Sequence, residues 1–336
     1  MASQAKTKQE KPDSSRGVSR VLEKLDASFK TKNFYEAHQM YHTLYFRYTA
    51  QAKHDDLLDL LYDGAVKMLD HGQYSSGADL GLLMIDTLET VETTIVPAEN
   101  WMERISEIIK KIKPSILERD TVLEKAINWS GMVAKSPSGH SLMHKLIAQI
   151  MYNEDNIPQA RYHMSLSRDG FSCAFLLIEL SQTQGYEGEV DLFVAQMVLQ
   201  QLCLKETAAA TETFATYIQF HPRIACTDPP FPRPLLNFLF FLLQAIEHHE
   251  RKYTMFRVLC DLYRPSLDRD PSYERYLHKI GITFFGARQQ TQMRTFAFDE
   301  LLNQFFQDLG ADYGDEPSNG RRNGDGSDTS LHGDVD

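Results

Sequence analysis

The amino-acid sequence predicts an all-α protein: an α-solenoid of stacked antiparallel helix pairs, of the tetratricopeptide-like kind, with disordered termini. Three observations lead to this prediction. Apolar residues recur at helical spacing along most of the chain, and the period-two alternation typical of strands is nearly absent. The breaks between these segments are short, which makes successive helices antiparallel neighbours. A small-residue motif also recurs at an interval that suits a helix pair.

Both ends of the chain are poor in the apolar residues that a core requires. Residues 1–17 are rich in Lys, Gln and Ser, and residues 310–336 are rich in Gly, Asp and Ser. Because such segments bury too little apolar surface to offset the entropy lost on ordering, we predict a disordered N-terminus and a disordered acidic tail. Between them we predict an N-terminal half of the solenoid, 18–152, and a C-terminal half, 153–309.

In the N-terminal half, polar residues and prolines separate the predicted helices. The first helix ends before the polar pair Lys32-Asn33, and a later one ends at Lys113-Pro114, since proline cannot continue a helix. Ser136-Pro137-Ser138-Gly139 marks another break. The predicted helices are 18–30, 34–52, 55–71, 74–89, 98–112, 115–129 and 140–152.

In the C-terminal half, the breaks have the same character. Asp155-Asn156 precedes a helix that begins at Ile157, and the proline-rich stretch Pro222–Pro234 precedes a strongly apolar helix. The predicted helices are 157–166, 173–184, 188–204, 206–220, 234–250, 253–263, 272–285 and 297–309.

Three of these helices begin with the same motif, in which a large apolar residue follows a small polar pair and precedes Ala or Gly by three positions. The instances are Phe34–Ala37, Tyr74–Gly77 and Ile157–Ala160, separated by about 40 and about 83 residues. A small residue at that position lets two helices approach closely. Because a pair of about 40 residues cannot bury its apolar face alone, neighbouring pairs must stack.

Charge and composition exclude several classes of protein. The formal net charge is -11 and the pI is about 5.6, so the chain lacks the basic footprint of a nucleic-acid-binding protein. The N-terminus has no apolar stretch of the kind found in signal peptides. The most apolar run, Leu235–Ile246, is shorter than the roughly 20 residues that span a bilayer. We therefore expect a cytosolic protein without stable membrane insertion.

The Cys and His residues do not form a recognisable catalytic or metal-binding pattern. Four widely spaced Cys without a C-x-x-C pair are expected to be reduced and buried. His140 and His144 have ligand spacing but lack the intervening Glu of a metalloprotease motif, and we expect them, like His248-His249, to be ordinary surface residues. Phosphate-binding loops and hydrolase motifs are also missing. The sequence therefore predicts a binding protein without enzymatic activity, cofactor or metal.

The helix predicted at 34–52 is unusually aromatic on two faces. One face carries Phe34, Ala37, Tyr41, Leu44, Tyr45 and Tyr48, and the other carries Tyr35, Gln39, His42 and Phe46. One apolar face is enough for packing, and polar-tipped aromatic residues with His are typical of partner-binding surfaces. The alternative is a solenoid helix that is packed on both sides.

The helix containing Leu235–Ile246 is apolar all round. One stripe consists of Leu235, Phe238, Leu239, Leu242 and Ile246, and a second consists of Leu236, Phe240 and Leu243. Such a helix is either central in a core or divided between core and interface.

Several stretches of the chain resemble the Golgi to ER traffic protein 4 family over about residues 18–286. They are Tyr35-Glu36-Ala37-His38-Gln39-Met40-Tyr41 with Thr43-Leu44, His71-Gly72-Gln73, Glu189-Val190-Asp191, Phe193-Val194-Ala195-Gln196, Leu202-Cys203-Leu204-Lys205, Pro234-Leu235-Leu236-Asn237-Phe238, Arg269-Asp270-Pro271, Tyr273, Tyr276-Leu277 and Phe284-Phe285-Gly286.

This resemblance implies an α-solenoid that acts as a cytosolic adaptor in the guided entry of tail-anchored proteins. The N-terminal half would dock the targeting ATPase. The C-terminal half would hold a partner with a ubiquitin-like domain and, in animals, a BAG-domain chaperone scaffold. The predicted contacts of the ATPase are Tyr35, His38, Tyr41, His42 and Phe46. Those of the ubiquitin-like partner are Phe238, Phe241, Leu242, Phe284 and Phe285.

Two other functions remain open on the sequence alone. A helical-repeat scaffold subunit of another cytosolic assembly would carry a basic or Asn-rich groove repeated in each helix pair, and the sequence shows no such recurrence. An all-α enzyme with a histidine-based metal site is the second alternative, which metal analysis would decide.

Overall fold

All regular elements in the described part of the chain are helices, as the apolar periodicity predicts. The structure is a computed structural model that describes residues 14–91, 96–224, 227–247 and 252–287, and no residue in these ranges belongs to a strand. The first seven helices are α1 (Ser14–Lys30), α2 (Phe34–Ala50), α3 (His54–Asp70), α4 (Tyr74–Thr90), α5 (Ala98–Lys111), α6 (Glu118–Ala134) and α7 (Ser141–Asn153).

The remaining described helices follow, most of them after similarly short connections. They are α8 (Ile157–Leu166), α9 (Gly170–Thr183), α10 (Val190–Cys203), α11 (Thr207–Phe220), α12 (Pro234–Glu247), α13 (Tyr253–Leu262), α14 (Arg264–Leu267) and α15 (Ser272–Phe285), with a 3-10 turn at Glu187–Glu189. The three helices that open with the motif begin at the predicted residues. The predicted helix 297–309, the tail 310–336 and residues 1–13 lie outside the described residues.

Several predicted boundaries are wrong, and the two largest differences are at the start of α1 and at the end of α6. Helix α1 begins at Ser14, so residues 14–17 are helical rather than disordered, because extending an existing helix requires no new nucleation. Helix α6 runs to Ala134, beyond its predicted end at 129. It continues through Gly131, where the carbonyl oxygen of Ser136 returns so closely that a Cβ atom would lie 2.7 Å from it.

Five of the three-residue helix–helix corners share one conformation, in which a residue after the helix has a positive φ. At the first corner Lys32 N–H donates to the carbonyl of Phe29 at 3.1 Å and Asn33 N–H donates to that of Ser28 at 2.8 Å, which is a Schellman cap. The same pair of bonds recurs at the other four corners. The five residues and their φ angles are Lys32 (58°), Ala52 (53°), Gly72 (74°), Asp155 (61°) and Lys205 (66°).

Polar bridges join helices that are two positions apart in the chain. Arg104 Nη1 on α5 donates to Asp59 Oδ1 on α3 at 2.6 Å, and Arg161 Nη2 on α8 donates to Gln196 Oε1 on α10 at 2.6 Å. The bridged residues are 45 and 35 positions apart. This separation is close to the interval of the sequence motif, as expected where successive helix pairs stack.

A continuous cluster of buried apolar side chains runs from Leu25 in α1 to Ala160 in α8. Its helices approach closely where the motif places a small residue. A Cβ atom on Gly77 in α4 would lie 2.5 Å from Leu69 Cγ in α3, so a larger residue there would require the Leu69 side chain to move. This contact confirms the role predicted for the small residue of the motif.

Not all the histidines that were predicted to lie on the surface do so. His144 is buried, and its ring stacks on that of the buried His163 with 5.1 Å between centroids. Its Nε2 lies 2.5 Å from the Ser138 carbonyl and its Nδ1 lies 2.8 Å from His163 Nδ1. The prediction for His144 was wrong because this ring fills a polar space between α7 and α8, which helical spacing does not show. His248-His249 lies outside the described residues.

The cysteine prediction is confirmed for two of the four thiols. Cys173 and Cys203 are free and buried, and burial raises the pKa of each thiol to about 12. Cys260 is free but only half-buried, and Cys226 lies outside the described residues. Among the described helices, none combines the length and the apolar character that crossing a membrane requires.

We predict that Ala52→Gly stabilises the fold by about 1 kcal/mol, because a Cβ atom is disfavoured at positive φ. Denaturant titration of the free energy of unfolding measures the change. The matched control is Ala215→Gly at an exposed position inside α11, where glycine should cost about 1 kcal/mol. A loss of stability in both variants would contradict the strain assigned to the corner.

We also predict that acid weakens the fold through the buried histidine pair. Burial lowers the pKa of His144 and, further, that of His163 from the ordinary value of 6.5. The unfolded chain therefore binds more protons below pH 6.5. Stability is complete above that pH and falls as the pH drops towards the lowered values, by up to about 1.4 kcal/mol per pH unit for each ring. His163→Gln should flatten this decline in denaturant titrations, whereas His278→Gln, on the exposed surface of α15, should leave it unchanged.

Candidate partner-binding surfaces

Helix α2 begins at a well-defined cap. Asn33 Oδ1 accepts a hydrogen bond from Glu36 N–H at 3.4 Å, and Asn33 Nδ2 donates to Glu36 Oε2 at 2.7 Å. This exchange satisfies one of the free N–H groups at the helix start and places an acidic residue in its first turn. The cap fixes the residue at which the helix begins, and the burial of Ala37, Tyr41 and Leu44 determines which of its two aromatic faces points inwards.

The first face of α2 is buried against α3. Tyr41 is only 1% exposed, and its ring lies over Gly64, where a Cβ atom would be 2.6 Å from Tyr41 Cε1. Burial, together with the nearby Asp63 and Asp26 carboxylates, raises the pKa of the Tyr41 phenol well above its usual value. Because α3 covers its side chain, Tyr41 does not lie on the open surface of the described chain, and its predicted contact with a partner stays a prediction.

The second face of α2 is open. Tyr35 is 78% exposed and Phe46 is 67% exposed, and they lie three helical turns apart on one stripe. The ring of Phe46 packs edge-on against Tyr45 with 5.4 Å between centroids. Tyr35 and Phe46 both belong to the second face that the sequence predicts for this helix. We name the exposed face that carries these two rings the α2 stripe.

His38 and His42 lie beside the α2 stripe and point towards α4. Their Nε2 atoms are 2.9 Å and 2.8 Å from the same oxygen, Oδ2 of Asp79. Hydrogen bonding by His38, followed by that of His42, lowers the pKa of the Asp79 carboxyl. The sequence analysis singled out both histidines but missed Asp79, which only the stacking of α2 near α4 brings to them.

The second candidate surface, on α12, is mostly core. Phe238 and Leu242 are fully buried, and Phe238 packs against Tyr263 with 5.9 Å between ring centroids. Phe285 is also buried and stacks on Phe256 with its centroid 4.6 Å away. Phe238, Leu242 and Phe285 therefore do not lie on the open surface of the described chain, and their predicted contact with a partner stays a prediction.

Two predicted residues of this second surface keep some exposure. Phe241 is 45% exposed at the edge of α12, next to Phe240. Phe284 is partly buried near the end of α15. The sequence left two possibilities open for this helix, and the structure shows the first, a helix that lies centrally in a core. Phe241 lies at the edge of this core.

An exposed apolar stripe on α13 was missed. Met255, Val258 and Leu262 are 58%, 66% and 71% exposed, although Phe256 on the opposite side is buried. Their spacing of three and four residues places them along one face of the helix, which we name the α13 stripe. The sequence of Tyr253–Leu262 contains an indication of this stripe. Its apolar residues occupy two faces of the helix, whereas packing against the core requires only one.

A third exposed group consists of Phe171 and Phe175 on α9 and Phe220 on α11. Their ring centroids are 4.8 to 6.5 Å apart, and each ring is 40% exposed or more. We name this group the phenylalanine cluster. Large exposed aromatic groups of this kind are typical of protein–protein contacts.

The sequence of this chain is similar to proteins named for Golgi to ER traffic. The family model described as Golgi to ER traffic protein 4 matches residues 51–306. The chain is 45% identical to the Golgi to ER traffic protein 4 homolog of Homo sapiens over 271 residues, which cover 81% of each chain. It is 42% identical to the homolog of Bos taurus over 293 residues, which cover 87% of each chain.

The fold is also similar to that of a solved structure. A crystal structure of Get4 from C. therm. superposes with a TM-score of 0.71, at 21% sequence identity, and covers 92% of this chain and 100% of that chain. At this identity the likeness concerns the fold alone. It supports the assignment of an all-α solenoid.

We predict that Gly64→Ala destabilises the chain by about 1 to 3 kcal/mol, because the added Cβ would overlap the buried Tyr41 ring. Tyr41→Leu in the same chain should recover part of the loss, since the ring that clashes is gone. Denaturant titrations of the two single variants and the double variant measure this coupling. Purely additive losses would show that the ring and the glycine do not depend on each other.

Proposed function

Because the chain belongs to the Golgi to ER traffic protein 4 family, we propose that it is a non-catalytic cytosolic adaptor in the targeting of tail-anchored membrane proteins to the ER. In this role it bridges a targeting ATPase to a partner with a ubiquitin-like domain and, in animals, to a BAG-domain chaperone scaffold. The observation that supports the proposal best is that large exposed aromatic and apolar residues lie on several separate helices, among them α2, α9 and α13. An adaptor needs separate surfaces of this kind.

The α2 stripe is the proposed contact of the targeting ATPase. It combines the exposed rings of Tyr35 and Phe46 with the polar groups of His38, His42 and Asp79. A surface with polar and charged groups around a few aromatic residues suits a partner that binds and leaves. The proposed docking site of the ATPase therefore belongs to the N-terminal half, 18–152.

The α13 stripe is the proposed contact of the ubiquitin-like partner. Met255, Val258 and Leu262 form a continuous apolar face, and a permanently bound partner requires an apolar interface of this type. Phe241 on the neighbouring helix α12 is proposed to extend it. The phenylalanine cluster, also in the C-terminal half, 153–309, is the proposed contact of the BAG-domain scaffold if the chain comes from an animal.

The proposal as a whole is tested by a pulldown with the full-length chain from a lysate that contains the pathway components. Mass spectrometry should identify both the targeting ATPase and the ubiquitin-like partner. Recovery of neither protein would overturn the adaptor function. Recovery of only one would overturn the bridging role.

We predict that Tyr35→Ala with Phe46→Ala weakens ATPase binding by about tenfold or more, since exposed aromatic anchors carry much of the energy of an interface. Titration calorimetry against the purified ATPase measures the affinity. Leu117→Ala is the matched control, because Leu117 is 82% exposed in the same half but lies outside α2. Affinity should also fall with added salt. Equal affinities in wild type and the double variant would exclude the α2 stripe.

We predict that Val258→Asp releases the ubiquitin-like partner while the helical circular dichroism signal stays unchanged, because the side chain is 66% exposed. Phe238→Asp serves as the contrast. This substitution buries an unpaired carboxylate in the core, so the chain itself should lose stability. Unaltered copurification of the partner with Val258→Asp would remove the α13 stripe from the interface.

A further inference from the structure

His38, His42 and Asp79 bring three metal-ligating atoms together at one point. The two imidazoles lie one turn apart on α2, with ring centroids 4.7 Å apart and planes at 84°, and both direct Nε2 towards Asp79 Oδ2. The three ligand atoms lie within 4.8 Å of one another. Among the described residues, no other group of three His, Cys, Asp or Glu side chains satisfies this geometry.

Two of the three distances between these atoms are close to those of a metal coordination shell. Tetrahedral Zn²⁺ with bonds of about 2.0 to 2.2 Å holds its ligand atoms about 3.3 Å apart. The two Nε2 atoms lie 2.9 Å and 2.8 Å from Asp79 Oδ2, so each needs to move only about 0.5 Å away from that oxygen to receive an ion. The third distance, between the two Nε2 atoms, is at most 4.8 Å.

The ligands also come from elements that are held in place. Helix α2 is fixed by its cap at Asn33 and by the buried ring of Tyr41, and α4 is fixed by the close contact of Gly77 with α3. The side chains are 18%, 30% and 44% exposed for His38, His42 and Asp79, so the site is partly shielded yet reachable from solvent. A metal site requires both preorganised ligands and an entry path.

We propose that His38, His42 and Asp79 bind a Zn²⁺ ion, with an open fourth position on the solvent side. Two imidazole nitrogens and one carboxylate oxygen form the ligand set of open zinc sites, in which water or an incoming group completes the shell. Mg²⁺ and Ca²⁺ prefer oxygen ligands alone and do not suit this set. The ion would link α2 to α4 directly beside the α2 stripe.

The site gives a physical consequence that does not depend on the adaptor function. Without an ion, both Nε2 atoms must carry protons to share the Asp79 oxygen as donors. Zn²⁺ replaces these two hydrogen bonds with coordinate bonds and adds a link between two helices, so it binds the folded chain in preference to the unfolded one. Zn²⁺ is therefore expected to raise the thermal midpoint of the chain.

The test is a titration of the metal-free full-length chain with ZnCl₂ in isothermal calorimetry, with MgCl₂ as the comparison salt. Wild type should bind about one equivalent of Zn²⁺, with a rise in thermal midpoint, and should show no such response to Mg²⁺. His38→Ala, His42→Ala and Asp79→Asn should each weaken Zn²⁺ binding by more than about tenfold. Asp79→Asn retains an oxygen that accepts a hydrogen bond, so the fold is expected to persist, and circular dichroism checks this.

The matched control is His278→Ala, which removes an exposed histidine from α15 and should leave the Zn²⁺ affinity unchanged. An equal loss in this variant would show that scattered surface imidazoles bind the ion. The absence of saturable Zn²⁺ binding in wild type, or an unchanged affinity in Asp79→Asn and His42→Ala, would overturn the proposal. None of these measurements involves a partner protein, so their failure is distinguishable from failure of the proposed function.

Discussion

Each helix in the middle of this chain must be covered from more than one side, and the rest of the structure depends on that constraint. Leu57 and Leu58 are adjacent in α3, and because neighbours in a helix point about 100° apart, both can be fully buried only if two different neighbours cover them. Helix α2 and α4 lie next to α3 in the chain, and α5 contributes the polar bridge to Asp59. A single helix pair cannot provide such cover, which is why the array has to continue.

The same constraint determines where partner-binding surfaces occur. A face of an inner helix is covered by the next pair, so large apolar side chains stay exposed only where that cover is missing. Tyr35 and Phe46 on α2, and Val258 and Leu262 on α13, are such side chains. Their exposure follows from the position of each helix in the array, and this is the physical link between the solenoid and the adaptor function proposed for it.

Most of the fold could be predicted from the sequence, whereas the candidate sites could be predicted only in part. The motif at Phe34 and Tyr74 and the short polar connections are local signals, and the helices begin where they indicate. Whether Tyr41 or Tyr35 faces solvent depends on Gly64 in the following helix, which no local pattern shows. Asp79 joins His38 for the same reason, since residues 41 positions apart meet only after the pairs have stacked.

The family resemblance also does not separate residues that stabilise the fold from residues that contact a partner. Asp191 and Arg269 are an example. These residues belong to two of the stretches that carry the resemblance, and Arg269 Nη1 donates to Asp191 Oδ2 at 2.7 Å although 78 positions separate them. Asp191 is almost completely buried, and the hydrogen bond to it raises the pKa of Arg269. A buried carboxylate that loses its main cationic partner is costly, so this pair serves the fold. Stretches that identify the family therefore include residues that hold α10 to the C-terminal helices, and burial, rather than resemblance, separates these from the residues that meet a partner.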